Sequence, residues 1–100
     1  MTTYLIHKQN TSNTLKVFKV DDYTYEVRNS NKDVLAKAVI KDSGDTYELA
    51  DIWVVETMRN FGIGTTLISY VANDVDKLLK VTIDESDMAM NKVIHKLACS

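Results

Sequence analysis

The stretch ELADIWVVETMRNFGIGTTLISYV, residues 48–71, decides how this chain folds. It opens as an apolar, β-favouring run in which Ile52, Trp53, Val54 and Val55 follow one another. It turns at Glu56-Thr57-Met58-Arg59, passes through Arg59-Asn60-Phe61-Gly62-Ile63-Gly64, and enters a helix opened by Thr65 and Thr66. The only Trp and two of the three glycines lie inside it. A strand that ends in a glycine-containing loop and resumes as a helix aims backbone N–H groups at one spot, which the helix macrodipole makes favourable for anions. Gly62 and Gly64 carry no Cβ, so a phosphate can approach the main chain closely there. The residues read as a pyrophosphate cradle; the plainer reading is a β–α turn that holds nothing.

Upstream, the pattern is that of antiparallel strands. Residues 3–7 (TYLIH), 15–20, 23–28 (YTYEVR), 34–41 (VLAKAVIK) and 47–55 are strand candidates, separated by polar, turn-rich segments at 9–14, 21–22, 29–33 and 42–45. Short connections predict that neighbours pair as a meander. Strict alternation along the last strand predicts Glu48, Ala50, Ile52 and Val54 on one face, with Asp51 opposite among Leu49, Trp53 and Val55. Downstream, Leu67, Ile68, Val71 and Ala72 form a one-sided apolar stripe on a helix over 65–73. Residues 80–83 read as a buried strand parallel to the one before the loop. Ser86 or Asp87 is placed to cap a last helix over 88–97, with Met90, Val93, Ile94 and Leu97 inward. The class is α+β: an antiparallel meander leading into a β-α-β crossover, closed by a C-terminal helix.

The spacing Arg59-x-x-Gly62-x-Gly64 after an apolar strand resembles the acetyl-CoA signature of the GNAT superfamily, the acyl-CoA-dependent N-acyltransferases. The close match covers about a quarter of the chain, and the order of the other elements agrees with it. The chain lacks the helix pair usual after the first strand and the last two strands of the usual fold. The resemblance implies acetyl-CoA as cofactor and transfer of its acetyl group to an amine, either a small molecule or a protein lysine or N-terminus. It implies that the backbone at Arg59, Asn60, Phe61, Gly62, Ile63, Gly64 and Thr65 holds the pyrophosphate. Main-chain groups of Ile52 and Val54 would hold the pantetheine arm. Very short members of this fold occur among phage and mobile-element proteins. A second reading is therefore a non-enzymatic interaction module, binding a partner such as a host protein through an uncovered sheet edge.

Acyl transfer to an amine needs a base for the ammonium and an acid for the leaving thiolate. Glu48 lies eleven residues before Arg59, an offset that in the resemblance belongs to the general base; Asp51 is the alternative. An acid among apolar neighbours would be a better base near neutral pH. The plain reading of either is a solvated or salt-bridged strand residue. His95 falls where the family carries its acid on the last helix, and Cys99 is the alternative. Tyr23, Tyr25, Tyr47 and Trp53 read first as packing residues, Lys37 and Lys41 as solvated ones. Two His and one Cys without ligand spacing do not make a metal site.

The 100 residues make one domain with a modest core. A net charge of −2 without a basic stripe argues against nucleic acid. No apolar run reaches membrane-spanning length, and a single Cys fits a reducing cytoplasm. A shortened sheet also offers an edge to a second protomer, so a homodimer is an expected assembly.

Overall fold

The computed structural model describes residues 2–8, 16–58, 62–84 and 86–98, the side chains of 89 and 96–98 excepted. Six strands and two α-helices follow in the order β1 (Thr2–Ile6), β2 (Val17–Asp21), β3 (Thr24–Arg28), β4 (Val34–Asp42), β5 (Thr46–Val54), α1 (Ile63–Asp74), β6 (Leu78–Ile83) and α2 (Met88–Ala98). A short 3₁₀ turn, Glu56–Met58, leads out of β5. All strands join one sheet in the order β1-β6-β5-β4-β3-β2. β2 to β5 form the expected antiparallel meander, and β5 pairs with β6 in parallel across α1.

One expectation fails. β1 does not pair with β2; it lies antiparallel on the outer side of β6, with Tyr4 opposite Val81 and Ile6 opposite Leu79. Those pairs join the buried Ile6, Leu79 and Val81 and the partly buried Tyr4, a reward that the polar segment after β1 does not reveal. The edge beyond β6 is therefore occupied by this chain's own N-terminal strand.

The core lies on one face of the sheet. Tyr25 and Val27 of β3, Ala36, Ala38 and Ile40 of β4, and Leu79 and Val81 of β6 are buried beneath α1 and α2. From α1, Leu67, Ile68 and Val71 are fully buried, each contributing about 1.5–3 kcal/mol by leaving water. Ile94 does the same for α2, whose start is capped by Asp87: its Oδ1 accepts the N–H of Met90 at 3.1 Å. Three strand bulges, at Val20, Leu35 and Ala50, interrupt the alternation. The opposite face of the sheet carries Phe18, Glu26, Lys37 and Trp53 in one cross-strand row. Among the described residues no helix belonging to the core lies on that face.

The end of α1 is tied to the sheet by a polar contact inside the core margin. Tyr25 Oη donates to Asp74 Oδ2 at 2.7 Å, and Lys19 Nζ reaches the same oxygen at 3.1 Å. The Tyr25 hydrogen bond, and then that of Lys19, hold the Asp74 carboxyl below its usual range, while burial and Asp74 push the Tyr25 phenol above its own. A carboxylate with a lowered folded pKa adds stability above its unfolded pKa and loses it as pH falls through the folded value. Asp74 therefore contributes at neutral pH and begins to lose that contribution as pH falls below about 4, the loss being complete only below its lowered folded pKa. Asp74→Ala is expected to cost about 1–3 kcal/mol, because the buried Tyr25 hydroxyl loses its acceptor; the half-exposed Lys19 contact adds little. Thermal unfolding should fall by about 4–8 °C per kcal/mol and recover in part when Tyr25→Phe is added.

Candidate active site

The site is built where β5 and β6 separate. Their parallel pairing spans only Thr46–Leu78, Tyr47–Leu79 and Glu48–Lys80. Beyond Glu48, β5 continues to Val54 and beyond Lys80, β6 continues to Ile83, without pairing to each other. The gap between the two strands is thus a place where an extended ligand could run alongside strand backbone.

The cause of the separation is legible in the β4–β5 register. Val39 pairs with Asp51 and Ile40 with Leu49, which leaves Ala50 as an extra residue. A bulge bends its strand and increases the local twist, steering β5 away from β6. It also overturns the simple alternation. Leu49, Ile52 and Val54 pack towards the core, opposite Ile40, Ala38 and Ala36. Glu48, Asp51 and Trp53 share the open face, opposite Lys41, Val39 and Lys37. Glu48 is thus not on the face of Ile52 and Val54, as regular alternation predicted, but with Asp51.

Its surroundings differ from the expected apolar ones as well. Glu48 Oε2 lies 3.2 Å from Ser43 Oγ, 3.7 Å from Lys41 Nζ and 3.9 Å from Lys80 Nζ. Both lysines and Glu48 line the point where the two strands part. Asp51 is solvent-exposed beside the bulge.

The second half of the site is the start of α1. Gly62 takes a left-handed conformation, φ 78° and ψ 10°, and its carbonyl accepts the N–H of Thr66 at 3.0 Å. The helix thus begins at Ile63, two residues earlier than the Thr65 expected from sequence. Among the described residues no side chain caps it, and no acidic residue stands in its first turn. The N–H groups of Ile63, Gly64 and Thr65 accordingly have no intrahelical acceptor, and the positive end of the dipole is not neutralised from within the helix. Among the described residues a Cβ placed on Gly64 would meet only Val54 Cγ2, at 3.7 Å, so the helix start lies against the end of β5. Arg59, Asn60 and Phe61 lie outside the described residues.

The two glycines should respond differently to alanine. Gly62→Ala forces a side chain into the left-handed region and is expected to cost about 1–2 kcal/mol. Gly64→Ala meets ordinary van der Waals space inside a helix and is expected to gain up to about 1 kcal/mol. Urea unfolding of both variants checks the pair.

His95, exposed on α2, packs its ring against Tyr4, centroids 6.1 Å apart and planes tilted by 59°. Tyr4 is the cross-strand partner of Val81, the first residue of β6 beyond the parallel pairing. Tyr4 and His95 thus lie together on the helix side of the sheet beside β6, and Glu48 and Asp51 on the opposite face. Sequence reading missed Tyr4 because nothing in residues 3–7 tells that this strand flanks β6. Cys99 lies outside the described residues. Of the aromatic residues expected to pack, Tyr25 and Tyr47 do, whereas Tyr23 and Trp53 are each 45% exposed.

Comparison with known proteins agrees with this architecture. No family model matches the sequence, and no curated protein matches it. The structure is similar to the solution NMR structure of YhhK from E. coli, a candidate N-acetyltransferase bound to coenzyme A. The TM-score is 0.61 at 26% identity, over 79% of this chain and 66% of YhhK, just under two thirds of that protein's length. The fold is GNAT-like: a mixed six-stranded sheet with two helices, shorter than the usual form. Among the described residues no helix is long and apolar enough to cross a membrane.

Proposed function

We propose that this chain binds acetyl-CoA between the parted ends of β5 and β6 and transfers its acetyl group to an amine. The observation that carries the reading is the coincidence of two open features. Two strand edges lose their pairing beyond Glu48 and Lys80, and an uncapped helix start without first-turn acids lies against the end of β5. The residues fit the cofactor: an extended pantetheine arm matches the gap between two parted strands, and a pyrophosphate matches the start of a helix with no acidic residue in its first turn. The likeness to CoA-bound YhhK supports it.

In this reading Ile63, Gly64 and Thr65 donate N–H groups to the pyrophosphate, joined by Arg59, Asn60, Phe61 and Gly62 of the loop. Main-chain groups of Ile52 and Val54 hold the arm. Acetyl-CoA, when bound, supplies an activated acyl group and a thiolate leaving group. Glu48, at the parting of the strands, accepts the proton that the acceptor ammonium must lose, directly or through water. Lys41 and Lys80 face its carboxylate, with their Nζ atoms 3.7 and 3.9 Å from Oε2. His95, held by Tyr4, provides the proton that the thiolate requires. The acceptor is a small amine or a protein amine, and the protein works in the cytoplasm.

Calorimetric titration with acetyl-CoA tests the reading. Micromolar, one-to-one binding is the expected outcome; absence of binding at millimolar cofactor overturns it. A second reading, a partner-binding module without chemistry, has one observation in its favour, the aromatic open face of the sheet with Phe18 and Trp53 both over 40% exposed. It predicts that partner binding survives loss of the cofactor.

A further inference from the structure

We infer that the open sheet face beside the Ala50 bulge is the acceptor's docking site, and that Asp51 and Trp53 together bind an alkylammonium group there. The inference rests on the acetyl-transfer reading for its role and on the following geometry for its chemistry. Of the carboxylates that β5 presents on this face, Glu48 is engaged by Ser43, Lys41 and Lys80. Asp51 is exposed, has apolar Val39 as its cross-strand neighbour, and has no hydrogen-bonding or ionic partner among the described residues. Two residues on, along the same face, stands Trp53 with 45% of its surface in solvent. Residues i and i+2 on a strand lie about 7 Å apart, so one ammonium can contact both the carboxylate and the indole ring.

The same sheet face already holds a complete example of this unit. The Arg28 guanidinium lies 5.2 Å from the centre of the Phe18 ring, while its Nε and Nη2 donate to Glu26 Oε1 at 3.0 and 2.6 Å. Carboxylate, cation and ring are all supplied by the chain there. At the other end of the same cross-strand row Trp53 supplies the ring, Asp51 two residues before it supplies the carboxylate, and the acceptor supplies the cation. The position suits the reaction, because Asp51 follows Glu48 by three residues on the same face, at the parting of the strands. Lys37, the cross-strand partner of Trp53, opposes a cation at the ring without neutralising Asp51, whose own partner is Val39.

Trp53 is the only Trp, so its emission reports this site with no cofactor present. The full chain is titrated with spermidine, with n-butylammonium and with a lysine-containing peptide, each against sodium chloride of equal ionic strength. A saturable change in emission is expected, weakened about five-fold or more by Asp51→Asn and strengthened about two-fold by Lys37→Gln. Opposite responses of two exposed positions cannot come from a loss of folding. An emission that does not respond, or that responds equally in wild type and Asp51→Asn, overturns the site. Saturation by all three probes supports a small-amine acceptor, and saturation by the peptide alone supports a protein lysine. Acetyl-CoA titration of the same samples separates the two readings. Cofactor binding with a silent Trp53 overturns only the docking site, and an amine response without cofactor binding overturns its role as an acceptor site.

Discussion

Gly64→Glu is expected to abolish acetyl-CoA binding, raising Kd by at least about 100-fold, while the melting temperature stays within a few degrees of wild type. The first half follows from electrostatics. A carboxylate at the second residue of α1 stands beside the N–H groups of Ile63, Gly64 and Thr65, where the pyrophosphate would lie. Two like charges about 4 Å apart repel by about 4 kcal/mol at the effective dielectric of a protein surface, and 100-fold in Kd needs only about 2.7 kcal/mol. The second half follows from local structure. Among the described residues a Cβ at this position meets only Val54 Cγ2, at ordinary contact distance, and its backbone is not in the left-handed region. Replacing glycine by a better helix former gains about 0.5–1 kcal/mol, and an acid in the first turn complements the dipole. Gly64→Gln has similar size without charge and should retain part of the affinity. Calorimetry and thermal unfolding on the three proteins check both halves. Unchanged binding in a folded Gly64→Glu variant would remove the cradle from the site.

Why the passage from β5 into α1 was visible in the sequence, and other parts of the candidate site were not, has a physical explanation. The β5-loop-α1 unit is local: an apolar β-branched run, a glycine that alone tolerates φ 78°, and a helical stripe of Leu67, Ile68 and Val71 follow within one continuous segment. Asp87 was legible as a cap for the same reason, since cap and recipient, Met90, are three residues apart. The place of β1 is not local. Thr2–Ile6 would alternate in the same way beside β2 as beside β6, and only the packing of Tyr4 and Ile6 against Val81 and Leu79 selects the latter. The bulge at Ala50 is equally silent. Alanine there is compatible with regular pairing, and the extra residue shows only in the register between β4 and β5, two strands whose pairing no local motif fixes. That one residue moved Glu48 to the face of Asp51 and Trp53, and with it the whole assignment of which carboxylate meets which side of the sheet.

The bulge also sharpens the second large effect, that of Glu48→Gln. In the acetyl-transfer reading Glu48 accepts the proton of the acceptor ammonium, and removing a general base typically costs about 10²–10⁴-fold in rate. The loss should fall on kcat and on kcat/KM for the amine alike, with Kd for acetyl-CoA unchanged. Glutamine keeps an oxygen that can accept from Ser43 Oγ and loses only the charge facing Lys41 and Lys80. Lys41 is well exposed, at 62%, and such ion pairs contribute about 0–1 kcal/mol, so the melting temperature should move by a few degrees at most. The plainer view of Glu48, a salt-bridged strand residue, makes the opposite forecast: a small loss of stability and an undiminished rate. Single-turnover transfer to a saturating amine separates the two views, because it reads the chemical step apart from product release. Asp51→Asn provides the internal contrast. It removes a carboxylate from the same face, three residues away, and is expected to act mainly on KM for the amine. If both variants lost kcat to the same extent, base and docking residue could not be told apart and the assignment of Glu48 as the proton acceptor would fall. A selective loss of kcat at Glu48 would fix the base at the point where the two parallel strands part.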